Sequence, residues 1–273
     1  MDRIWIEIGE QYQDSAYRRM VERLRAEGIQ VCRMRREERE AHSLLLTDSQ
    51  ELADWAAGRN LACAGYEPPD TEIRLTRVDM VVQSLEELDG AFFDLIYRRY
   101  HGIPWTIART ERLVIRESVP EDFDALYDMY GEPGAADYMP GMERGKEEER
   151  ELFTAYIRRV YPFYSYGLWT VLEKSSGRLV GRAGVENGTY QNSPVLEIGY
   201  LIGRDYQRQG YGLEAVAAIK EYAFTALGAE ELYAFIHRDN TASRRLARRA
   251  GFLPVEEAGE IEVLSCTASG GVV

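Results

Sequence analysis

The positions of apolar and polar residues along the first hundred residues predict strands that alternate with helices. Residues 3–9 (RIWIEIG) alternate with the two-residue period of a strand, and the apolar residues of 15–27 recur with the spacing of one helix face. The same reasoning predicts further strands at 29–34, 44–47, 61–67 and 79–83, and further helices at 35–42, 51–60 and 84–100. Strands separated by helices of this length favour a parallel, Rossmann-like α/β sheet.

A Gly-Ile-Pro break at 102–104 separates this pattern from a second one that is richer in strands. We place a domain boundary near residue 109, which gives a smaller α/β domain at 1–109 and a second domain at 110–273. In the second domain, strands are predicted at 112–118, 168–174, 178–187, 195–203, 231–239, 252–258 and 260–266, and helices at 121–130, 143–161, 213–227 and 243–250.

Charge and composition exclude several classes of protein. The 273 residues carry 33 Lys and Arg against 46 Asp and Glu, a net charge of −13, which disfavours general nucleic-acid binding and suits positively charged small molecules or peptide termini. No apolar run reaches the ~18 residues of a membrane span, and the start lacks the basic and apolar regions of a signal peptide. We therefore expect a cytoplasmic protein that has no membrane partner.

The cysteines and histidines are few and scattered. No CxxC or HExxH spacing occurs, so the sequence predicts neither a disulfide framework nor a metal site. The six residues are Cys32, Cys63, Cys266, His42, His101 and His237.

The sharpest motif is QRQGYG at 207–212, between an apolar strand and an apolar-periodic helix. Two glycines at such a turn let the backbone approach a ligand, and successive N–H groups at a helix start bind anions. The motif therefore predicts a diphosphate site, and the alternative is a turn that merely needs glycine. Gly210, Gly212 and Ala215 also match a dinucleotide fingerprint. The polar residues 204–209 argue against an NAD site, because they separate the strand from the first glycine.

Together with LEIGY at 196–200, NTAS at 240–243 and AGF at 250–252, this motif resembles the GNAT-superfamily N-acetyltransferases. The resemblance covers roughly residues 111–266, and it is greatest to the branch that acetylates the N-termini of ribosomal proteins. It implies an α+β GNAT fold, with a mixed central sheet and helices on both faces, preceded by the smaller Rossmann-like domain.

The resemblance also implies how acetyl-CoA binds. The cofactor would lie in a V-shaped gap between two splayed parallel strands, with its pyrophosphate on backbone N–H groups at the helix start and its pantetheine arm along the first strand. Asn240 is equally a candidate helix N-cap. The implied cofactor-binding residues are Tyr200, Leu201, Ile202, Gln207, Arg208, Gln209, Gly210, Tyr211, Gly212, Asn240 and Ser243.

The implied reaction is the attack of a neutral amine on a thioester. An alkylammonium has a pKa near 10, so a base must take its proton, and the resemblance makes Glu197 the candidate. The alternative is that Glu197 is an ordinary solvated strand residue. A backbone N–H of the same strand would stabilise the oxyanion. Ala247 stands where the family often has a tyrosine that protonates the departing thiolate. The general acid is therefore left unassigned among Tyr200, Tyr211 and water.

The predicted function is therefore acetyl-CoA-dependent N-acetylation of a primary amine, either a peptide N-terminus or a small amine. The alternative is a non-catalytic sensor of CoA or a nucleotide. A homodimer is left open. Aromatic residues at 161–166 (YPFYSY) either line the acceptor site or pack a helix onto the sheet, and packing is the preferred interpretation.

The first domain has a resemblance of its own. Residues 44–67 and 78–89 are similar to the later half of a haloacid-dehalogenase-like domain. That family's nucleophile motif, Asp-x-Asp on the first strand, is absent from RIWIEIGEQ, so hydrolase activity is not expected. Asp48 is interpreted as a helix cap, and the domain as a non-catalytic binding, docking or dimerising module.

Overall fold

The computed structural model describes residues 1–34, 42–134, 137–138 and 141–268. They divide into two compact units, Met1–Trp105 and Thr106–Val273. Each unit is built on its own sheet. No helix in the described part of the chain is both long enough and apolar enough to cross a membrane.

The first unit is a five-stranded sheet in the order β2-β1-β3-β4-β5, and its paired strands are all parallel. The predicted parallel α/β sheet is thus confirmed. The strands are β1 (Arg3–Glu7), β2 (Gln30–Cys32), β3 (Ser43–Thr47), β4 (Ala62–Tyr66) and β5 (Met80–Val82), and the helices are α1 (Ser15–Ala26), α2 (Gln50–Ala57) and α3 (Gly90–Tyr100).

Burial on both faces explains why the central strands read as continuous apolar runs. On one face, Ile4 and Leu44 pack with residues of α1 and α3, including Met20 and Phe93. On the other face, Trp5, Leu45 and Cys63 pack with the alanines of α2. Burial raises the pKa of the Cys63 thiol to about 12, so this cysteine is an inert core residue, as predicted.

Two local predictions in the first unit change, and a third is not tested. The helix predicted at 84–100 begins only at Gly90, because the carboxylate of Asp89 accepts a hydrogen bond from the Phe92 N–H and caps it there. Asp48 is not a helix cap. Its carboxylate accepts the Gly9 N–H at 2.8 Å and ties the loops after β1 and β3, while Ser49 occupies the N-cap position. The charged helix predicted at 35–42 falls on residues outside the described part, except for its last residue.

The second unit is an eight-stranded mixed sheet in the order β12-β13-β11-β10-β9-β8-β7-β6. Strand β10 runs parallel to β11 and antiparallel to β9. Residues 106–109, placed before the predicted boundary, pair with β7 in this sheet. The strands are β6 (Thr106–Arg109), β7 (Leu113–Arg116), β8 (Leu168–Glu173), β9 (Leu179–Tyr190), β10 (Ser193–Ile202), β11 (Glu231–His237), β12 (Leu253–Ala258) and β13 (Ile261–Thr267).

Helices cover both faces of this sheet, which confirms the predicted fold class. Neighbouring residues of β10 show this directly, since Tyr200 reaches helix α7 and Leu201 packs on Met129 of helix α4. Helix α5 continues through Pro162 to Tyr164 and is followed by Ser165, whose φ is 61°, so the helix extends beyond its predicted end at residue 161. The helices are α4 (Phe123–Tyr130), α5 (Lys146–Tyr164), α6 (Tyr211–Thr225) and α7 (Thr241–Arg249).

Candidate functional site

Strands β10 and β11 separate after a single point of contact. They are paired at one register position, Glu197 with Tyr233, whereas β10 pairs with β9 over all ten of its residues. The carboxyl-terminal halves of the two parallel strands therefore enclose a gap in the middle of the sheet. This is the splayed arrangement that the sequence analysis expects for a ligand between the strands.

The hydrogen-bond pattern of β10 determines which backbone groups face that gap. Gly203 donates its N–H to the Val180 carbonyl of β9, and in an antiparallel ladder the bonded residues alternate. Leu201 is therefore bonded to β9, while the N–H groups of Tyr200 and Ile202 are directed to the β11 side. Of the three predicted strand residues, these two direct backbone groups toward the gap, although the Ile202 carbonyl also accepts the side-chain amide of Gln207.

The turn from β10 to α6 forms a cradle of backbone N–H groups at residues 208–212. Arg208 and Gly210 have φ values of 61° and 88°, which turn successive peptide groups toward one side. Within the described chain, the N–H groups of residues 208–212 have no hydrogen-bond acceptor. They lie at the positive end of the α6 dipole, so the cradle suits a phosphate.

The side chains of this motif brace the turn. Gln207 donates its side-chain amide to the Ile202 carbonyl, and Gln209 donates its own to the Asp205 carbonyl. Tyr211 is buried and donates its hydroxyl to Glu173. A Cβ added at Gly212 would lie 2.6 Å from Cδ1 of Leu246, so the Leu246 side chain would have to shift if another residue stood there.

Arg112 borders the cradle and was missed by the sequence analysis. Its Nη1 donates to the Gln209 carbonyl at 2.8 Å, and its Nε donates to Glu214 at 2.7 Å. Its Nη2 would lie 3.1 Å from a Cβ at Gly210. The residue lies about a hundred positions before the motif, and no local pattern connects the two. It adds a positive charge beside the unpaired N–H groups.

Asn240 and Ser243 meet at the start of α7. The side chain of Asn240 caps the helix by accepting the Ser243 N–H at 3.0 Å, so the capping interpretation is confirmed. The Ser243 carbonyl accepts the hydroxyl of Tyr200 at 3.0 Å. One turn later on the same helix, Ala247 is buried and offers no proton.

Glu197 stands where the strands begin to separate, and its carboxylate is half-buried. Glu186 lies directly opposite it on β9. Burial, with a contribution from the negative charge of Glu186, raises the pKa of Glu197 to about 7. A carboxylate with this pKa is matched to proton transfer near neutral pH.

Aromatic residues lie near Glu186 and beside the register position of Glu197. Tyr156 of α5 places its hydroxyl 3.4 Å from Glu186, and the Tyr190 ring lies 5.2 Å from that of Tyr233. In the segment at 161–166, Tyr161 is buried and donates its hydroxyl to the Leu168 carbonyl, as packing predicts. Phe163, however, is 78% exposed and does not pack on the sheet core.

The described residues contain no group of three or more His, Cys, Asp or Glu side chains arranged to hold a metal ion.

The candidate site thus has three parts: a gap between diverging strands, an anion cradle at one end of the gap, and a carboxylate of raised pKa at the other end.

Comparisons with known proteins agree on the second unit. A family model described as "Acetyltransferase (GNAT) domain" matches residues 112–253, just over half of the chain. Protein YkkB of Bacillus subtilis, described as uncharacterized, is 29% identical over 143 residues, which cover 52% of this chain and 82% of YkkB. The uncharacterized N-acetyltransferase YoaA of the same organism is 28% identical over 149 residues, covering 54% of this chain and 82% of YoaA.

The fold is also found in solved structures. The ribosomal-protein-S5-alanine acetyltransferase of Vibrio fischeri has a TM-score of 0.50 and 16% sequence identity, over 59% of this chain and 95% of that protein. At this identity the likeness concerns the fold alone. The family match lies within the second unit, so the haloacid-dehalogenase-like resemblance of the first unit stays a prediction.

Proposed function

The chain belongs to the GNAT acetyltransferase family, and from this premise we propose that it transfers the acetyl group of acetyl-CoA to a primary amine, with Glu197 as the base. The observation that carries the proposal is the position of Glu197. A carboxylate with a pKa of about 7 stands at the point where β10 and β11 diverge. A thioester lying in the gap would present its carbonyl beside that carboxylate.

The residues around the gap fit acetyl-CoA. We assign the pyrophosphate to the N–H groups of Arg208–Gly212, with Arg112 adding positive charge, because both features favour an anion. We assign the pantetheine amides to the backbone of Tyr200 and Ile202, which faces the gap, rather than to Leu201. Asn240 and Ser243 would flank the far side from the start of α7.

In the proposed reaction, the acceptor enters as an ammonium and donates one proton to the Glu197 carboxylate. The freed lone pair of nitrogen attacks the thioester carbonyl carbon, and a backbone N–H of β10 stabilises the oxygen as negative charge develops. The carbon–sulfur bond then breaks, an amide forms, and the CoA sulfur leaves as a thiolate. The second proton of nitrogen passes to solvent as the amide forms.

Solvent is the proposed source of the proton that the thiolate takes up. Tyr200 donates its hydroxyl to the Ser243 carbonyl, and burial raises its pKa to about 12. Tyr211 donates to Glu173, which raises the pKa of its phenol. Both phenols are poor acids near neutral pH, and Ala247 has no proton to give.

The proposal is tested by incubating the full chain with acetyl-CoA and one of several amines: short peptides with free N-termini, aliphatic polyamines or free amino acids. We expect thiol release that depends on the amine. Mass spectrometry should show an amine that is about 42 Da heavier, the mass of the C2H2O that one acetyl group adds. Acetyl-CoA binding without turnover of any amine would instead support the sensor alternative, which no observation now favours.

We further propose that the first unit is a non-catalytic domain, because all the residues assigned above belong to the second. A chain that begins at Thr106, and so retains β6, should fold and bind acetyl-CoA with its full affinity. Circular dichroism and calorimetry would measure this. An unfolded product, or a folded one that does not bind, would contradict the proposed division.

A further inference from the structure

We propose that Glu186 is a positioning residue of the reaction: with Glu197 it forms a two-carboxylate site that receives the acceptor as a primary ammonium. This inference rests on the proposed function and deepens it. The class of acceptor that it names is an amine that is cationic when it binds, rather than one that has already lost its proton to bulk water.

The turn between β9 and β10 fixes the two carboxylates side by side. Gln191 and Asn192 have φ values of 49° and 62°, as a two-residue type I′ hairpin requires. Such a turn sets the register, which pairs Tyr190 with Ser193 and places Glu186 opposite Glu197 four steps further along. Side chains of directly opposed residues lie on the same face of the sheet.

Gly188, which has no side chain, leaves room for the Glu197 carboxylate on that face. A Cβ added at Gly188 would lie 3.2 Å from Oε2 of Glu197, so the Glu197 side chain lies over this position. Two like charges directly opposite each other in a ladder are destabilising. Such an unfavourable cross-strand pair is expected at a functional site. The repulsion is relieved when a cation binds between the two carboxylates.

The surrounding groups support this role. Tyr156 of α5 lies with its hydroxyl 3.4 Å from Glu186, and Tyr233 of β11 is in register with Glu197. The nearest cation on this face of β9 is Arg182, which is buried and stacked on Tyr156 with its carbon Cζ 5.0 Å from the ring centre. The Tyr156 side chain therefore lies between Arg182 and Glu186, so the negative charge is available to a ligand.

The two carboxylates also determine where protons go when the acceptor binds. Before the acceptor binds, burial, with a contribution from the negative charge of Glu186, keeps Glu197 partly protonated near neutral pH. The ammonium displaces that proton to solvent, because its positive charge stabilises both carboxylates. Glu197 then takes one proton from the bound ammonium, and the nitrogen lone pair becomes free to attack while the Glu186 side chain holds the amine in place.

The test compares the full-length parent with Glu186→Gln, Glu186→Asp and Glu151→Gln, using the best amine of the panel above. For Glu186→Gln we expect KM for the amine to rise about tenfold or more, as for a lost charge-assisted hydrogen bond. The acidic limb of kcat/KM should also move to lower pH, because the like charge that opposes ionisation of Glu197 is gone. Glu186→Asp should restore both properties.

Glu151 lies exposed on α5 and is the matched control, so its variant should have parental kinetics. A merely structural role of Glu186 would lower activity without moving the pH profile. A Glu186→Gln variant that folds by circular dichroism, transfers acetyl groups and keeps the parental KM and pH profile would overturn the inference. The proposed function would stand in that case, whereas absence of transfer in the parent would contradict the proposed function itself.

A second measurement needs no acceptor. With glutamate labelled at the carboxyl carbon, NMR titration of the parent should show a side-chain carboxylate that titrates near neutral pH and is missing in Glu197→Gln. In Glu186→Gln that titration should shift to lower pH. A titration unchanged by Glu186→Gln would show that the two carboxylates do not share a site.

Discussion

The carboxyl-terminal end and the middle of strand β10 are built in different ways, although both belong to the candidate site. The carboxyl-terminal end continues into the cradle at 208–212, where we propose that backbone N–H groups of neighbouring residues bind the pyrophosphate. At the middle of the strand, Glu197 depends on side chains from β9, β11 and α5. The cradle thus tolerates changes of side chain wherever the backbone is kept, while the carboxylate site depends on each side chain that meets there.

The largest effect is expected at the cradle, from Gly210→Asp. A side chain at φ 88° is strained, its Cβ would crowd Arg112, and its charge would oppose the pyrophosphate. Like charges in contact cost several kcal/mol, so acetyl-CoA affinity should fall by more than about a hundredfold. Calorimetry of the full chain measures this loss.

Gly228→Asp is the matched control for that variant. Gly228 also has a positive φ, of 67°, but a Cβ there meets nothing within 4 Å. It should bear the same backbone strain and bind acetyl-CoA normally. Equal loss of binding in both variants would mean that strain, rather than the cradle, explains the effect.

At the carboxylate site, Glu197→Gln should lower kcat by about 10²-fold or more, since general-base catalysis contributes on this order. Acetyl-CoA affinity should stay near the parental value, because the cradle is untouched. This split between chemistry and binding would sharpen the contrast between the middle of the strand and its carboxyl-terminal end. Turnover at the parental rate would make Glu197 an ordinary strand residue.

A smaller effect is expected for Arg112→Ala. The exposed guanidinium adds charge beside the cradle without closing it, so acetyl-CoA binding should weaken about fivefold, on the scale of about 1 kcal/mol for charges near helix ends. The loss should shrink as salt is added, because salt screens an exposed charge. Arg109→Ala, at an exposed position on β6, is the control and should bind normally.

The smallest effect is expected for Asn240, which caps helix α7 and is also a predicted contact of the cofactor. Loss of its cap in Asn240→Ala should destabilise the protein by about 1 kcal/mol, which thermal unfolding would detect. Asn240→Asp keeps a capping carboxylate and should regain that stability. If Asn240 also contacts the cofactor, the alanine variant will bind acetyl-CoA more weakly than its small loss of stability explains.

The same contrast explains which parts of the molecule the sequence predicts and which it does not. The strand, turn and helix around Gly210 lie within one stretch of chain, so periodicity and glycine spacing locate them. Glu186 and Arg112 become part of the site only through pairing and packing across the fold, and neither has a local signal. The start of α3 was predicted too early because Asp89 acts as a cap within an acidic run that itself has helical composition.

The central claim, that Glu197 accepts the proton of the acceptor amine, is tested most directly by the pH dependence of kcat/KM for the amine. The pKa of Glu197 is raised to about 7, so its basic form is populated as pH rises through that value. The parent should therefore gain activity across that range with a single deprotonation, and Glu197→Gln should lack this limb at every pH measured. The same acidic limb in both proteins would contradict the account.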